Sequence, residues 1–373
     1  MRVVKVKSGD VVSGVLVVDD DGRPVEPVTR FLRHVLSTGG SPNTAVAYAY
    51  DVRLLFEFFA DRGWDWAAFR PAQALELLGW LRRRPRRGPA QRFGLTVAGT
   101  DGPRLAPASV ARVLAAVSSF YEWTITAELF DGDNPMRRRL DPALAMVADR
   151  HRPFTGGASR QQPIRREIRV RLPDRLPRPL EGPDLEALLA SLRTARDLAM
   201  VLLMLDGGLR PGEVLGLHLD DVAYGRRRVR ICKRDDHPRG ARGKSRQERM
   251  VDLLETRTLD AVNRYVMRER PPDVDTPFLF LVSRGPRRGQ PLSYDALVKL
   301  FNRRLEGLGQ RTVHQTPHAL RHTHATAMWE GGMRELALQR RLGHASPESI
   351  RIYTRVSDTQ VRDEYTTALR DRQ

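Results

Sequence analysis

The chain has 373 residues, too many for one compact core, and its 63 lysines and arginines against 45 acidic residues leave a formal net charge of +18. A small disulfide-stapled domain is excluded, since Cys232 is the sole cysteine, and the charge points to a polyanionic partner such as DNA or RNA. No apolar run approaches the roughly 20 residues of a membrane span and no secretory signal opens the chain, so a soluble, cytoplasmic protein is expected.

Residues 2–7 and 11–18 are valine-rich runs on either side of Ser8-Gly9-Asp10, and they predict a β-hairpin arm over 1–26 that either contacts DNA or packs on the next domain. Packing is favoured. From 27 to 130 the apolar spacing turns helical, with helices expected at 28–37, 42–60 behind a capping Ser41, 71–84 and 106–129. In the second helix Val46, Tyr50, Leu54 and Phe58 form a stripe with Leu55 and Phe59 beside it, which assigns its aromatics to a core rather than to base stacking. Arg82 to Gly88 opens a basic, glycine- and proline-rich loop suited to phosphates or to plain solvation. Residues 131–178 lack steady periodicity, are rich in arginine and exceed an ordinary connection in length, so they read as a basic linker with a short helix near 142–149.

The second half opens with helices expected at 181–192 and at 195–205, the latter capped by Thr194. Residues 227–233 and 249–253 alternate like antiparallel strands, and 277–282 is a third apolar run of strand character. Cys232, within the first of these, suits a buried apolar role. Thr316-Pro317 is a cap followed by proline at the first helical position, and it places His318 and Arg321 on one face near a helix N-terminus, where anions are favoured. A short helix over 333–341 ends at Gly343, directly before His344, and Ser346-Pro347 opens a further helix that carries Tyr353. Taken alone, Tyr353 is a packing residue and Arg210 a partner of Glu213. His318 and His322 have the spacing of a zinc helix, but Ala319 stands where the glutamate of that pattern belongs.

Together these motifs change the reading. His318-Ala319-Leu320-Arg321, then Leu342-Gly343-His344, then Tyr353 nine residues on resemble the catalytic end of the tyrosine recombinases, the phage integrase family. Leu205 to Glu213 resembles the family's first arginine motif, with Arg210 as that arginine, and Gly243-Lys244 its lysine-bearing β-turn. The insertion from Asp235 to Arg242 is longer than the family's usual turn, and it keeps Lys233 as a competitor to Lys244.

The resemblance implies a mainly α protein with a small antiparallel β-sheet (α+β). A helical SAM-like core-binding domain would span 27–130, a linker 131–178 and a catalytic domain 179–373. It implies catalytic Arg210, Lys244, His318, Arg321, His344 and Tyr353, with no metal and no cofactor. The partner would be double-stranded DNA carrying specific recombination sites, bound by a homotetramer with room for accessory DNA-bending proteins. The activity implied is site-specific strand cleavage and rejoining through a 3′-phosphotyrosyl intermediate. A type IB topoisomerase, a catalytically idle DNA-binding regulator and a metal-dependent phosphodiesterase are the alternatives. A C-terminal stripe of Val361, Tyr365 and Leu369 suits docking on a neighbouring protomer or packing in cis.

Overall fold

The computed structural model describes residues 1–8, 11–85, 104–140, 164–172, 179–180, 182–243, 248–312 and 315–343. They belong to two compact units, Met1–Asp174 and Arg175–Gln373, each built round its own apolar cluster. Lys244, His344, Tyr353, the helix expected from Ser346, the C-terminal stripe, the helix near 142–149 and most of the basic loop lie outside the described residues. Among the described residues no helix is long and apolar enough to cross a membrane.

In the first unit β1 (Arg2–Ser8) and β2 (Val11–Val18) pair antiparallel, with Arg2 opposite Val18 and Val4 opposite Leu16. Alternation along β2 turns Val15 and Val17 the same way, and both are buried in the cluster that the helices share. The hairpin packs. Four helices follow as expected: α1 (Glu26–Ser37), α2 (Pro42–Arg62), α3 (Ala74–Arg83) and α4 (Pro107–Thr126). Ser41 Oγ accepts the Thr44 N–H at 3.1 Å and so caps α2, whose first residue is Pro42.

Phe58 and Phe59 are buried as expected, but the face that α2 buries runs through Ala45, Ala49, Val52, Leu55 and Phe56. Tyr50 is therefore not core: it is 42% exposed, with Lys5 Nζ 5.8 Å from its ring centre. The alanines at 45 and 49 admit neighbouring elements where a phenol would hold them off, a contact face that a stripe of large side chains conceals. Asp51 on this face receives Arg112 of α4 through two hydrogen bonds of 2.8 and 2.9 Å.

Within the stretch expected as linker, β3 (Arg138–Leu140) pairs antiparallel with β4 (Ile164–Arg166), and Ile168 and Val170 pack on the first unit's core. Strands of three residues are too short to display a period of two.

The second unit contains α5 (Gly182–Ser191), α6 (Ala195–Leu205), α7 (Pro211–Leu215), β5 (Val222–Ala223), β6 (Arg228–Ile231), β7 (Arg249–Asp252), α8 (Thr256–Arg268), α9 (Tyr294–Gly307), α10 (Pro317–Glu330) and α11 (Glu335–Leu342). Thr194 Oγ1 accepts the Asp197 N–H at 3.1 Å and caps α6, which is buried from Ala199 to Leu205 against α8 and α10. The sheet has the order β5-β6-β7, with Val229 opposite Val251 and Ile231 opposite Arg249. Residues 277–282 are not a strand. They form isolated bridges, His218 to Phe278 and Leu281 to Pro291, because Pro277 and Pro291 have no N–H with which to extend a ladder.

Candidate active site

The site is built where α6 ends. Gly208 has φ +63°, and a Cβ on it would lie 2.5 Å from His324 Cδ2, so glycine alone lets this turn approach α10. Three residues on, Pro211 starts α7, and Glu213 accepts the Arg210 backbone N–H at 2.9 Å and its Nη1 at 2.8 Å. Arg249 enters from β7 and donates to both oxygens of the same carboxylate, at 3.0 and 2.7 Å, while Arg321 of α10 brings Nη1 to 3.9 Å.

Glu213 is 5% exposed, and burial alone would raise its pKa. The hydrogen bonds and charge of Arg249, with the charges of Arg210 and Arg321, outweigh burial and hold it at about 2. One anion thus anchors three guanidiniums, and the excess positive charge suits a further anion.

Arg210 and Arg321 also converge on the C-terminus of α11. Arg210 donates to the Leu342 and Gly343 carbonyls at 3.3 and 3.1 Å, and Arg321 to those of Gly208 and Leu342 at 2.6 and 2.7 Å. The Leu342 carbonyl, one of those a helix end leaves unpaired, is therefore shared by both forks. Gly343, at φ +64°, leads out of this junction to His344. His318 lies exposed in the first turn of α10, whereas Arg321, three residues later, is buried. Thr316 precedes the helix as expected, but its side chain makes no capping hydrogen bond, so Pro317 alone marks the start.

Lys233 is exposed just beyond β6. Ten residues later the chain returns to α7: a Cβ on Gly212 would lie 2.2 Å from the Arg242 oxygen, and one on Gly243 3.5 Å from Glu213 Cγ. Lys244 is the next residue in the chain.

Three buried or half-buried groups beneath the site were not legible in the sequence. In the sequence Arg249 is only the first residue of a strand-like run. His324 accepts Arg341 Nε on Nε2 at 3.0 Å and pairs Nδ1 with the Leu205 carbonyl at 2.7 Å, so its neutral ring carries the proton on Nδ1. Arg341 also donates to the Asp206 carbonyl at 2.9 Å and the Asp252 carbonyl at 3.2 Å, tying α11 to α6 and β7. The one available signal was spacing, because His324 follows Arg321 by three residues on the same helix.

Burial, with the nearby Arg341 charge, holds the His324 imidazole at about 4, and burial with the Arg239 charge does the same to His237. Both lie below the unfolded histidine value of about 6.5, so between these pH values the unfolded chain binds more protons and stability falls as pH falls. By pH 5 each should have cost about 2 kcal/mol relative to pH 7. Calorimetry of the full chain across pH 7 to 5 should show the loss, and His324→Gln should remove about half of it. A pH-independent melting profile would contradict the assignment.

Residues 178–360 match the model of the phage integrase family, and residues 28–128 match that of the phage integrase N-terminal SAM-like domain. Tyrosine recombinase XerC of Chromohalobacter salexigens is 30% identical over 348 residues, 91% of this chain and 94% of that protein. The chain belongs to the phage integrase family. A further relative within the same range is Transposase A from transposon Tn554 of Staphylococcus aureus, 26% identical over 351 residues, 94% of this chain and 92% of that one. The fold is also that of the Tn1549 transposon integrase solved in complex with a circular intermediate DNA, with a TM-score of 0.61 at 17% identity over 92% of this chain and 98% of that chain. As a tyrosine recombinase the protein is a DNA breaking and rejoining enzyme of site-specific recombination.

Proposed function

We propose that Tyr353 attacks a scissile phosphodiester, forming a 3′-phosphotyrosyl bond and releasing a 5′ oxygen that Lys244 protonates. Attack by the 5′ hydroxyl of a partner strand then reverses the chemistry and restores the phenol. Arg210 and Arg321 clamp the non-bridging oxygens, and His318 and His344 assist by hydrogen bonding and proton transfer. Guanidinium forks suit the clamp because they stay charged and bind phosphate through two parallel bonds. The phosphotyrosyl bond conserves the energy of the broken one, so neither ATP nor a metal enters the sequence. Strand exchange requires four protomers round two duplexes, with accessory DNA-bending proteins where the site demands them.

The observation that carries this reading is the meeting of the Arg210 and Arg321 forks at the Leu342 carbonyl, two residues before His344 and over one shared carboxylate. Phosphate oxygens are charged acceptors and form stronger bonds to guanidinium than a carbonyl does. The reading is tested by incubating the full chain with a nicked suicide substrate carrying its recombination site. A denaturant-resistant protein–DNA adduct, formed equally in the presence of chelator, is expected. Binding without adduct would favour an idle regulator, chelator-sensitive cleavage a metal enzyme, and religation that only restores the parent strand a topoisomerase.

A further inference from the structure

The connection from β6 to β7 is longer than the family's turn, and its stretch from His237 to Ala241 is folded round one side chain. His237 is 4% exposed, packed edge-on against Phe278 with ring centres 5.0 Å apart. Its Nδ1 accepts two backbone N–H groups of its own loop, from Arg239 at 3.2 Å and Ala241 at 3.3 Å. Gly240, at φ +69°, returns its N–H to the His237 carbonyl at 2.9 Å and closes the turn. Arg239 Nη1 fastens the outside of the turn to the Pro291 carbonyl at 3.4 Å. From this knot Ala241 is buried, Arg242 lies against Gly212, and Gly243 lies against Glu213.

A loop needs no buried histidine merely to span two strands, and a tight turn spans them with less loss of chain entropy. What the knot achieves is direction. It carries the chain sideways to α7 and delivers Gly243 to the carboxylate that orients Arg210.

We propose that His237 is a positioning residue for Lys244: by accepting the Arg239 and Ala241 N–H groups it folds the insertion so that the chain reaches α7 at Gly243, the residue before the lysine. This rests on the assignment of Lys244 as the acid that protonates the 5′ oxygen. The role requires a neutral ring with its proton on Nε2. The groups facing the imidazole are Arg239, Asp236 and His218, and burial with the Arg239 charge keeps it neutral at physiological pH.

The test uses the full chain, suicide substrates and a scissile phosphate whose 5′ bridging oxygen is replaced by sulfur, a leaving group that needs no proton. His237→Leu keeps bulk but removes the acceptor, and His237→Asn places an amide oxygen where Nδ1 stood. His237→Leu should cleave ordinary DNA about 10- to 100-fold more slowly, the range a displacement of about an ångström produces. It should cleave the sulfur substrate at nearly the wild-type rate, which also certifies its fold. His237→Asn should retain most activity on both. Gly212→Ala, which presses on Arg242 from the α7 side, should reproduce the same sulfur-rescued defect should His237→Leu fail to fold.

Rescue of Lys244→Ala without rescue of His237→Leu, or wild-type cleavage of ordinary DNA by His237→Leu, overturns the positioning role alone. Failure of sulfur to rescue Lys244→Ala overturns the acid role, and the positioning role falls with it.

Discussion

Tyr353→Phe is expected to bind its recombination site with wild-type affinity and to yield no denaturant-resistant adduct, because the phenolic oxygen is the proposed nucleophile. The substitution removes one oxygen and leaves the ring, so folding and DNA contacts are preserved. A phenol of intrinsic pKa about 10 attacks at neutral pH only beside positive charge. In the described tyrosines of the second unit burial outweighs any neighbouring charge and raises the phenol's pKa. Tyr265 is buried and accepts the Leu281 N–H at 3.0 Å, and burial raises the pKa of Tyr224 and Tyr294 with no arginine to oppose it. Electrophoresis of a suicide-substrate reaction in denaturant, beside a mobility shift, reads both halves of the expectation. An adduct formed by the phenylalanine variant would move the nucleophile elsewhere, with Tyr365 the first to examine.

What was readable from the residues divides by length scale. Helices announced themselves because each extends over several turns with a cap or proline at its start, as with Ser41-Pro42, Thr194 and Thr316-Pro317. Arg210, His318 and Arg321 stand out as candidates in the sequence because each belongs to a motif of fixed local spacing. The shared carboxylate was visible only as a neighbour of Arg210, since nothing local says that Arg249, 36 residues on, closes on Glu213. His237 and Arg341 are hidden for a related reason: apart from the His324 ring that Arg341 meets, the hydrogen-bond partners described for them are backbone groups, and a backbone acceptor or donor has no letter in the sequence. The ladder between β3 and β4 joins residues more than twenty apart through strands too short to carry a pattern. Tyr50 shows that size is no guide to burial: the alanines of α2 mark its contact face, and the phenol lies outside it.

Glu213→Ala should be the most destabilising single substitution in the second unit. It leaves Arg210, Arg249 and Arg321 round an empty site, and removing one partner from a buried charge cluster costs on the order of 3–5 kcal/mol. Calorimetry of the full chain is the appropriate measurement, because two units with separate cores need not melt as one. The transition of the second unit should fall while that of the first stays put. Acid gives an independent check on sign. A carboxylate held at about 2 when folded, against an ordinary 4.5, contributes stability that is present above pH 4.5 and lost as pH falls toward 2. Glu213→Gln should lack that acid-dependent loss. Cleavage by any folded fraction of Glu213→Ala should be defective and, unlike that of His237→Leu, should not recover with sulfur at the 5′ position, because the fault lies in the arginine clamp rather than in protonation. A variant as stable as the wild type would mean that the carbonyls of Gly208, Leu342 and Gly343 satisfy the guanidiniums by themselves, and that the carboxylate is not what holds Arg210 and Arg321 together.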